Sequence, residues 1–273
     1  MQAPCPNRFL AHMRAGKVET FYSLGNHATP RHVDFVCGTG LFDTLWFDLE
    51  HFDIPVDRLA VLNMVARAYP MTTLARMRAA DYKSVMQVLE SGVGGIICSM
   101  VDTPEEAREI VRWARFNNPS PVNGETTGQR GWNGGGVDGR YGNFPAAEYV
   151  AHQNRETAIL CQIETEGALN RLEDIVSVKG VDGIFFGPGD YAHRIGRLGQ
   201  ISHDEVFSAM GQVAAACKRH GKFWGTLGIG REMYDKVYSL GANFISPGGD
   251  VRVMNLGIRE LAKAFQPRTE GRP

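Results

Sequence analysis

With 273 residues, an apolar fraction of 43% and a charged fraction of 22%, the chain has the length of one β/α barrel, short for two ordinary domains, and an unremarkable globular composition. Its 29 Lys and Arg against 30 Asp and Glu leave a formal charge of −1, which gives no electrostatic reason to expect nucleic acid or a membrane surface as partner. No apolar run reaches the roughly 18 residues of a membrane span, residues 1–17 lack the apolar core of a secretory signal, and Cys5, Cys37, Cys98, Cys161 and Cys217 form no CxxC pair, so reduced thiols and a cytoplasmic address are expected.

Apolar strand-like runs alternate with helix-period stretches from end to end. The first run, 18–24, precedes a helix from Thr29 towards Cys37 with Pro30 in its first turn. The second, 44–48, leads to a helix over 55–68. The third, 72–77, is followed by a helix over 82–90 that Gly92 stops. After the fourth, 95–101, comes Thr103-Pro104-Glu105-Glu106: a capping threonine, a first-turn proline and acids facing the positive end of the helix dipole. Further strands are expected at 157–163, 181–186, 222–227 and 242–245. Their helices cover 167–178, 204–220 behind a capping Ser202 or His203, 231–240 and 251–265. Residues 117–144 break this rhythm with Asn117, Asn118, Pro119, Pro121 and Gly134-Gly135-Gly136. A loop there, after the fourth strand's helix, belongs at the bottom of a barrel unless it climbs over the top or reaches a neighbouring subunit.

Sustained βα alternation implies a parallel sheet, because each crossover helix returns the chain to the same end. An open doubly wound sheet would want a Gly-rich phosphate turn after its first strand. Ser23-Leu24-Gly25-Asn26-His27 stands there and is not one. The expected architecture is a single (β/α)8 TIM barrel spanning 1–273.

Catalytic groups of such a barrel gather at the C-terminal ends of the strands. Those ends read Asp48-Leu49-Glu50-His51, Arg76-Met77-Arg78, Gln162-Ile163-Glu164-Thr165 and Gly187-Pro188-Gly189-Asp190. Glu164 and Asp190 stand on adjacent strands, and two carboxylates so placed suit a hard divalent cation such as Mg2+ or Mn2+, whereas singly each would serve as a helix cap. No Cys/His spacing of a zinc site occurs. Gly187-Pro188-Gly189 lets backbone approach a ligand, with the Gly189 and Asp190 amides free to hold a carboxylate. Arg76 offers a fixed cation for a developing oxyanion, against the plainer role of a rim ion pair. His51 is the candidate general base, since imidazole is the side chain that ordinarily titrates near neutrality. Glu90 could orient it from the third helix, or be a surface charge.

The chain resembles the HpcH/HpaI aldolase family, the class II pyruvate aldolases, from about Gly16 to Phe265. The likeness is carried by the D-x-E-H stretch at Asp48 to His51, by Arg76, and by Gly92-Val93-Gly94-Gly95-Ile96-Ile97. Met100-Val101-Asp102-Thr103-Pro104-Glu105-Glu106-Ala107, Arg130-Gly131, Gln162-Ile163-Glu164-Thr165 and Gly183-Ile184-Phe185-Phe186-Gly187-Pro188-Gly189-Asp190 complete it. The resemblance implies a barrel of the phosphoenolpyruvate/pyruvate-binding type that cleaves a 4-hydroxy-2-oxo acid reversibly to pyruvate, or a related 2-oxo acid, and an aldehyde. It implies a divalent ion (Mg2+, Mn2+ or Co2+) on Glu164 and Asp190, charge stabilisation by Arg76, and a hydrogen bond from Gln162 near the metal. The Gly189 and Asp190 amides would bind the substrate carboxylate, and His51 would shuttle a proton, with Glu90 standing where the family often has Asp. It further implies a homohexamer in which the last helix, with Val253, Leu256, Ile258 and Leu261, packs on a neighbour. No lysine is placed for a Schiff base, Lys222 beginning its strand at the wrong end.

The chain departs from the family at Cys98-Ser99-Met100 (usually ending Pro-Met), at Tyr191-Ala192 (commonly Leu-Ser), at Phe21-Tyr22 (usually a Trp), and in the length of the 117–144 loop. Three other readings compete. An acyl-CoA lyase of the citrate lyase β type would carry an acid in place of His51, and a metal–enolate decarboxylase or carbon–carbon bond-forming enzyme would share the site. A non-catalytic barrel would break it.

Overall fold

A computed structural model describes residues 6–117 and 128–265. Eight parallel strands close on themselves in sequential order: β1 (Glu19–Leu24), β2 (Thr44–Asp48), β3 (Thr72–Met77), β4 (Gly95–Cys98), β5 (Ala158–Ile163), β6 (Gly183–Phe186), β7 (Phe223–Leu227) and β8 (Phe244–Gly249). The crossovers carry α2 (Pro30–Thr39), α3 (Val56–Ala66), α4 (Tyr82–Glu90), α5 (Pro104–Ala114), α6 (Ala146–Glu156), α7 (Glu166–Asn170), α8 (Leu172–Val176), α9 (Pro188–Arg194), α10 (Asp204–His220) and α11 (Arg231–Ser239). Before the barrel stands α1 (Arg8–Arg14), and after it α12 (Asp250–Phe265). The (β/α)8 barrel expected from the alternation is the fold.

Side-chain alternation along the strands divides the core in two. Phe21, Trp46, Leu74, Ile97, Leu160, Phe185 and Phe244 fill the interior, and their partners of opposite parity pack outward against the helices. The interior is closed from below by α1, whose Phe9, Leu10 and Met13 join that inner cluster, with Phe9 edge-on to Phe21 and Phe244 at 5.5 Å. A floor plug of this kind was not expected from the sequence, because seven residues are too few for a periodicity signal. Its N-cap Asn7 accepts from Leu10 N–H and donates to the carbonyls of Gly94 and Glu156, which pins it beneath β4 and β5.

The helix starts follow capping chemistry. Thr103 and Glu106 form a reciprocal capping box, with Pro104 in the first turn. Differences from expectation are local. The helix after β5 breaks at Arg171 into α7 and α8. β8 runs on through Ser246-Pro247-Gly248-Gly249, which reads as a turn but pairs with β1 across a register shift between Thr20 and Tyr22. Two further helices, α6 and α9, fill stretches where none was expected.

Of the Gly-rich segment, residues 118–127 lie outside the described part. Residues 128–144 pack on the floor, not over the mouth. Arg130 pairs with Asp138 at 2.7 Å, lies over the Phe116 ring at 4.6 Å, and Tyr149 donates to the same carboxylate at 2.6 Å. A fully buried pair of this kind is costly to break from one side, on the order of 3–5 kcal/mol. No described helix is long and apolar enough to cross a membrane.

Candidate active site

The inward parity that fills the barrel with Trp46, Leu74 and Leu160 continues, two residues on, into Asp48, Arg76 and Gln162 at the mouth. Asp48 and Arg76 are register partners on β2 and β3. Their side chains therefore emerge side by side, and Arg76 donates to both carboxylate oxygens, Nη2 to Oδ2 at 2.5 Å and Nε to Oδ1 at 3.1 Å. The guanidinium carbon sits 4.8 Å from the centre of the Trp46 ring. Packing below and a bidentate acid beside it fix Arg76 in the mouth.

Asp48 also orders the segment that follows. Its Oδ1 accepts from the backbone N–H groups of Glu50 (3.1 Å) and His51 (3.4 Å), closing an Asx-type turn. The turn carries Glu50 to within 3.5 Å of Arg76 Nε, yet its buried Oε2 accepts no hydrogen bond. His51 projects outward, its side chain 54% exposed and its Nε2 4.0 Å from Glu50 Oε2. The exposure leaves it open to solvent.

Glu164 follows β5 and is 1% exposed. Gln162 Nε2 donates to its Oε2 at 2.5 Å and Met100 N–H to its Oε1 at 2.7 Å. Met100 holds φ at 56°, a left-handed conformation that side chains of its size rarely adopt and that costs about 1–3 kcal/mol. Burial is the main cause that pushes the Glu164 carboxyl up to about 7. Its two hydrogen bonds act against that, and the neighbouring carboxylates of Glu50 and Asp190 push it further up. Three acids therefore share one electrostatic environment.

Gly187 makes the close approach possible. A Cβ there would meet Glu164 Oε2 at 2.5 Å and Gln162 Nε2 at 3.2 Å. Beyond it, Gly189 and Asp190 occupy the first turn of α9, where no side chain caps the helix and the amides keep their donors.

This donor set fits a hard divalent cation. Two carboxylates that could hold it, Glu164 and half-buried Asp190, share their surroundings with the orphaned Glu50 oxygen and the orphaned Gln162 Oε1. No group of three or more His, Cys, Asp or Glu among the described residues forms a ready-made cage, so substrate and water oxygens would complete the shell.

The mouth opens into a cavity of about 630 Å3, lined by Trp46, Asp48 and Arg76 on one side and by Gly249, Arg252 and Arg259 on the other. Glu164, Asp190 and Glu50 are not among its lining residues; Arg76 both lines it and stands 3.5 Å from Glu50.

Glu90 is not part of this assembly. It ends α4, which has carried the chain from the mouth back to the floor, and there it accepts from Asn133 Nδ2 at 3.4 Å. Within one chain it cannot orient His51. Lys222 also lies at the floor end, donating to the Val181 carbonyl at 2.6 Å. Sequence reading assigned no role to Asp48 or Glu50, although the register that joins Asp48 to Arg76 was available from strand alignment alone.

The family described as HpcH/HpaI aldolase/citrate lyase matches residues 21–255. The chain is 34% identical over 269 residues to the 4-hydroxy-2-oxovalerate aldolase of Novosphingobium aromaticivorans, covering 98% of this chain and 97% of that protein. It is 30% identical over 263 residues to the 5-keto-4-deoxy-D-glucarate aldolase of Klebsiella pneumoniae subsp. pneumoniae, covering 96% and 97%. The crystal structure of an HpcH/HpaI aldolase from Desulfitobacterium hafniense DCB-2 superposes with a TM-score of 0.84 at 26% identity, over 94% of this chain and 96% of that one. A match over most of the length makes this chain a member of the HpcH/HpaI aldolase/citrate lyase family.

Proposed function

We propose that the protein cleaves a 4-hydroxy-2-oxo acid reversibly to pyruvate, or a related 2-oxo acid, and an aldehyde, and that the reaction depends on a divalent ion, Mg2+, Mn2+ or Co2+. The carbon–carbon lyase class is the one shared by its aldolase-named relatives. The observation that carries the finer reading is the buried Glu164 carboxyl, held by Gln162 and Met100 within the electrostatic reach of Glu50 and Asp190, with Arg76 fixed 3.5 Å from Glu50.

Glu164 and Asp190 would hold the cation, which when bound supplies Lewis-acid polarisation of the 2-oxo acid. The remaining steps belong to the chain. The Gly189 and Asp190 amides bind the substrate carboxylate at the uncapped turn of α9. Gln162, its Oε1 unpartnered, hydrogen-bonds beside the carboxylates. As the C3–C4 bond breaks, its electron pair passes to the 2-oxo oxygen, and Arg76, already locked by Asp48, meets that charge without reorganising. His51, open to solvent, takes the proton of the 4-hydroxyl as the aldehyde forms, a proton from water then converts the enolate at C3 to pyruvate, and in the reverse direction His51 returns a proton to the new hydroxyl.

The proposal extends to assembly in a homo-oligomer, a hexamer by family likeness, acting in the cytoplasm. Ile258 and Leu261, one turn apart on α12, are each more than half exposed, an apolar face that a neighbouring copy would cover. A pairing of His51 with Glu90 could be made only between copies, the floor of one against the mouth of another.

A panel of 4-hydroxy-2-oxo acids assayed for pyruvate release with added Mn2+ tests the activity. Release from at least one is expected. His51→Ala should suppress it by about a hundredfold while leaving Mn2+ binding intact; cleavage by that variant at the parent rate would remove His51 from the mechanism.

A further inference from the structure

Between Arg76 and Gln162 the mouth holds a side chain that the reaction has not used. Ser99 follows β4 directly, and its backbone N–H donates to the Met77 carbonyl at 3.0 Å, which carries the pairing with β3 one residue past Cys98. Strand parity turns Ser99 inward, since Ile97 fills the barrel interior and Cys98 packs outward. Around the mouth the inward residues then run Asp48 (β2), Arg76 (β3), Ser99 (after β4), Gln162 (β5) and Gly187 (after β6). The Cys98-Ser99-Met100 stretch is also one at which the chain departs from its family.

The Ser99 hydroxyl has no hydrogen-bond partner among the described residues, although Ser99 is only 2% exposed. Gln162 is 1% exposed, and its Oε1 is equally without a partner. The register of Cys98 with Cys161 sets these two residues side by side on neighbouring strands. The backbone is tied on both sides of Ser99, by its own N–H to Met77 and by Met100 N–H to Glu164 Oε1 at 2.7 Å. Gln162 Nε2 is spent on Glu164 Oε2, which leaves Oε1 as the spare acceptor of the amide. A hydroxyl donor beside an amide acceptor suits a group that accepts from one and donates to the other, and water does both.

We propose that Ser99 and Gln162 hold the water that protonates C3 of the enolate, which makes Ser99 a positioning residue for that proton transfer. The inference rests on the aldolase reading, in which the 2-oxo acid reaches from the first turn of α9 to Arg76. A molecule so placed crosses the ends of β4 and β5, with one face on Ser99 and Gln162 and the other towards the mouth, where the aldehyde leaves. The O–H bond of the water breaks and its proton forms the C3–H bond of pyruvate with the electron pair of the enolate. The hydroxide left behind receives, through solvent, the proton that His51 took from the 4-hydroxyl, so atoms and charge balance with no further reactant.

Exchange of the pyruvate methyl protons in D2O, followed by proton NMR with Mn2+ and no aldehyde, isolates this step. The parent protein is expected to exchange them, and Ser99→Ala to do so about tenfold or more slowly with unchanged Mn2+ affinity. Ser99→Thr keeps the hydroxyl and should recover part of the loss. Single-turnover cleavage, with free aldehyde and free pyruvate followed continuously by separate coupling enzymes, gives a second readout. In Ser99→Ala the aldehyde should appear ahead of pyruvate, whereas the parent releases the two together. Exchange at the parent rate in Ser99→Ala, or aldehyde and pyruvate slowed in step, would overturn the role of Ser99 and leave the aldolase reading standing. No exchange by the parent with Mn2+ would overturn the aldolase reading and this inference with it.

Discussion

Arg76 and Asp48, neighbours in register on β3 and β2, are joined by two hydrogen bonds of 2.5 and 3.1 Å, so a fixed cation beside Glu50 is aimed by a residue that need not touch substrate. Asp48→Asn keeps an oxygen for the Glu50 and His51 amides but loses the charge and one of the two acceptors for Arg76. The expected result is a fall of about ten- to a hundredfold in kcat, with KM for the 2-oxo acid changed less. Steady-state kinetics checks it: a rise in KM at constant kcat would mean that Arg76 contributes binding only.

Glu164 links stability to pH in a direction opposite to that of an ordinary ion-paired carboxylate. Burial, opposed by its hydrogen bonds, raises its carboxyl from the usual 4.5 to about 7, so in the metal-free protein the native state holds this proton more tightly than the unfolded chain does. The group therefore leaves stability unaffected below 4.5, lowers it progressively as pH rises to about 7, and keeps it lowered above that. Glu164→Gln removes the effect, because Gln162 can turn its unpartnered Oε1 towards the new amide. Urea unfolding after exhaustive EDTA treatment should find the variant more stable than the parent at pH 8, by up to about 3 kcal/mol, and little different at pH 4. A variant less stable than the parent at pH 8 would contradict the assignment.

Gly187 is required by closeness rather than by its own dihedral angles. Its φ of −90° suits any residue, but a Cβ would lie 2.5 Å from Glu164 Oε2 and 2.9 Å from Glu164 Cβ. Gly187→Ala should displace the carboxylate by some tenths of an ångström or more, weaken Mn2+ binding by at least about tenfold, and lower kcat/KM correspondingly. Calorimetric titration with Mn2+ measures it, and an unchanged affinity would show that Glu164 can move without loss.

Much of this was legible in the sequence, for identifiable reasons. Strand and helix periods gave the barrel, and the C-terminal strand ends gave Asp48 to His51, Arg76, Gln162, Glu164 and Asp190 as one mouth. What escaped has physical causes. α1 is too short to show a period, and β8 ends in Pro247-Gly248-Gly249, residue types that ordinarily mark turns. The site's polar pairing is a matter of register between strands: Asp48 reads as one acid among several until β2 is laid beside β3. The expected contact of Glu90 with His51 is not made within one chain, because a helix of nine residues returns its last residue to the floor, the opposite end from the strand that precedes it.

Pyruvate release from a 4-hydroxy-2-oxo acid, measured after removal of metal with EDTA and again after adding Mn2+ or Mg2+, probes the acid cluster most directly. Release should vanish in the metal-free protein, return with either ion in the parent, and stay absent in Glu164→Gln. Cleavage continuing at the parent rate without metal, or restored fully in Glu164→Gln, would contradict the account.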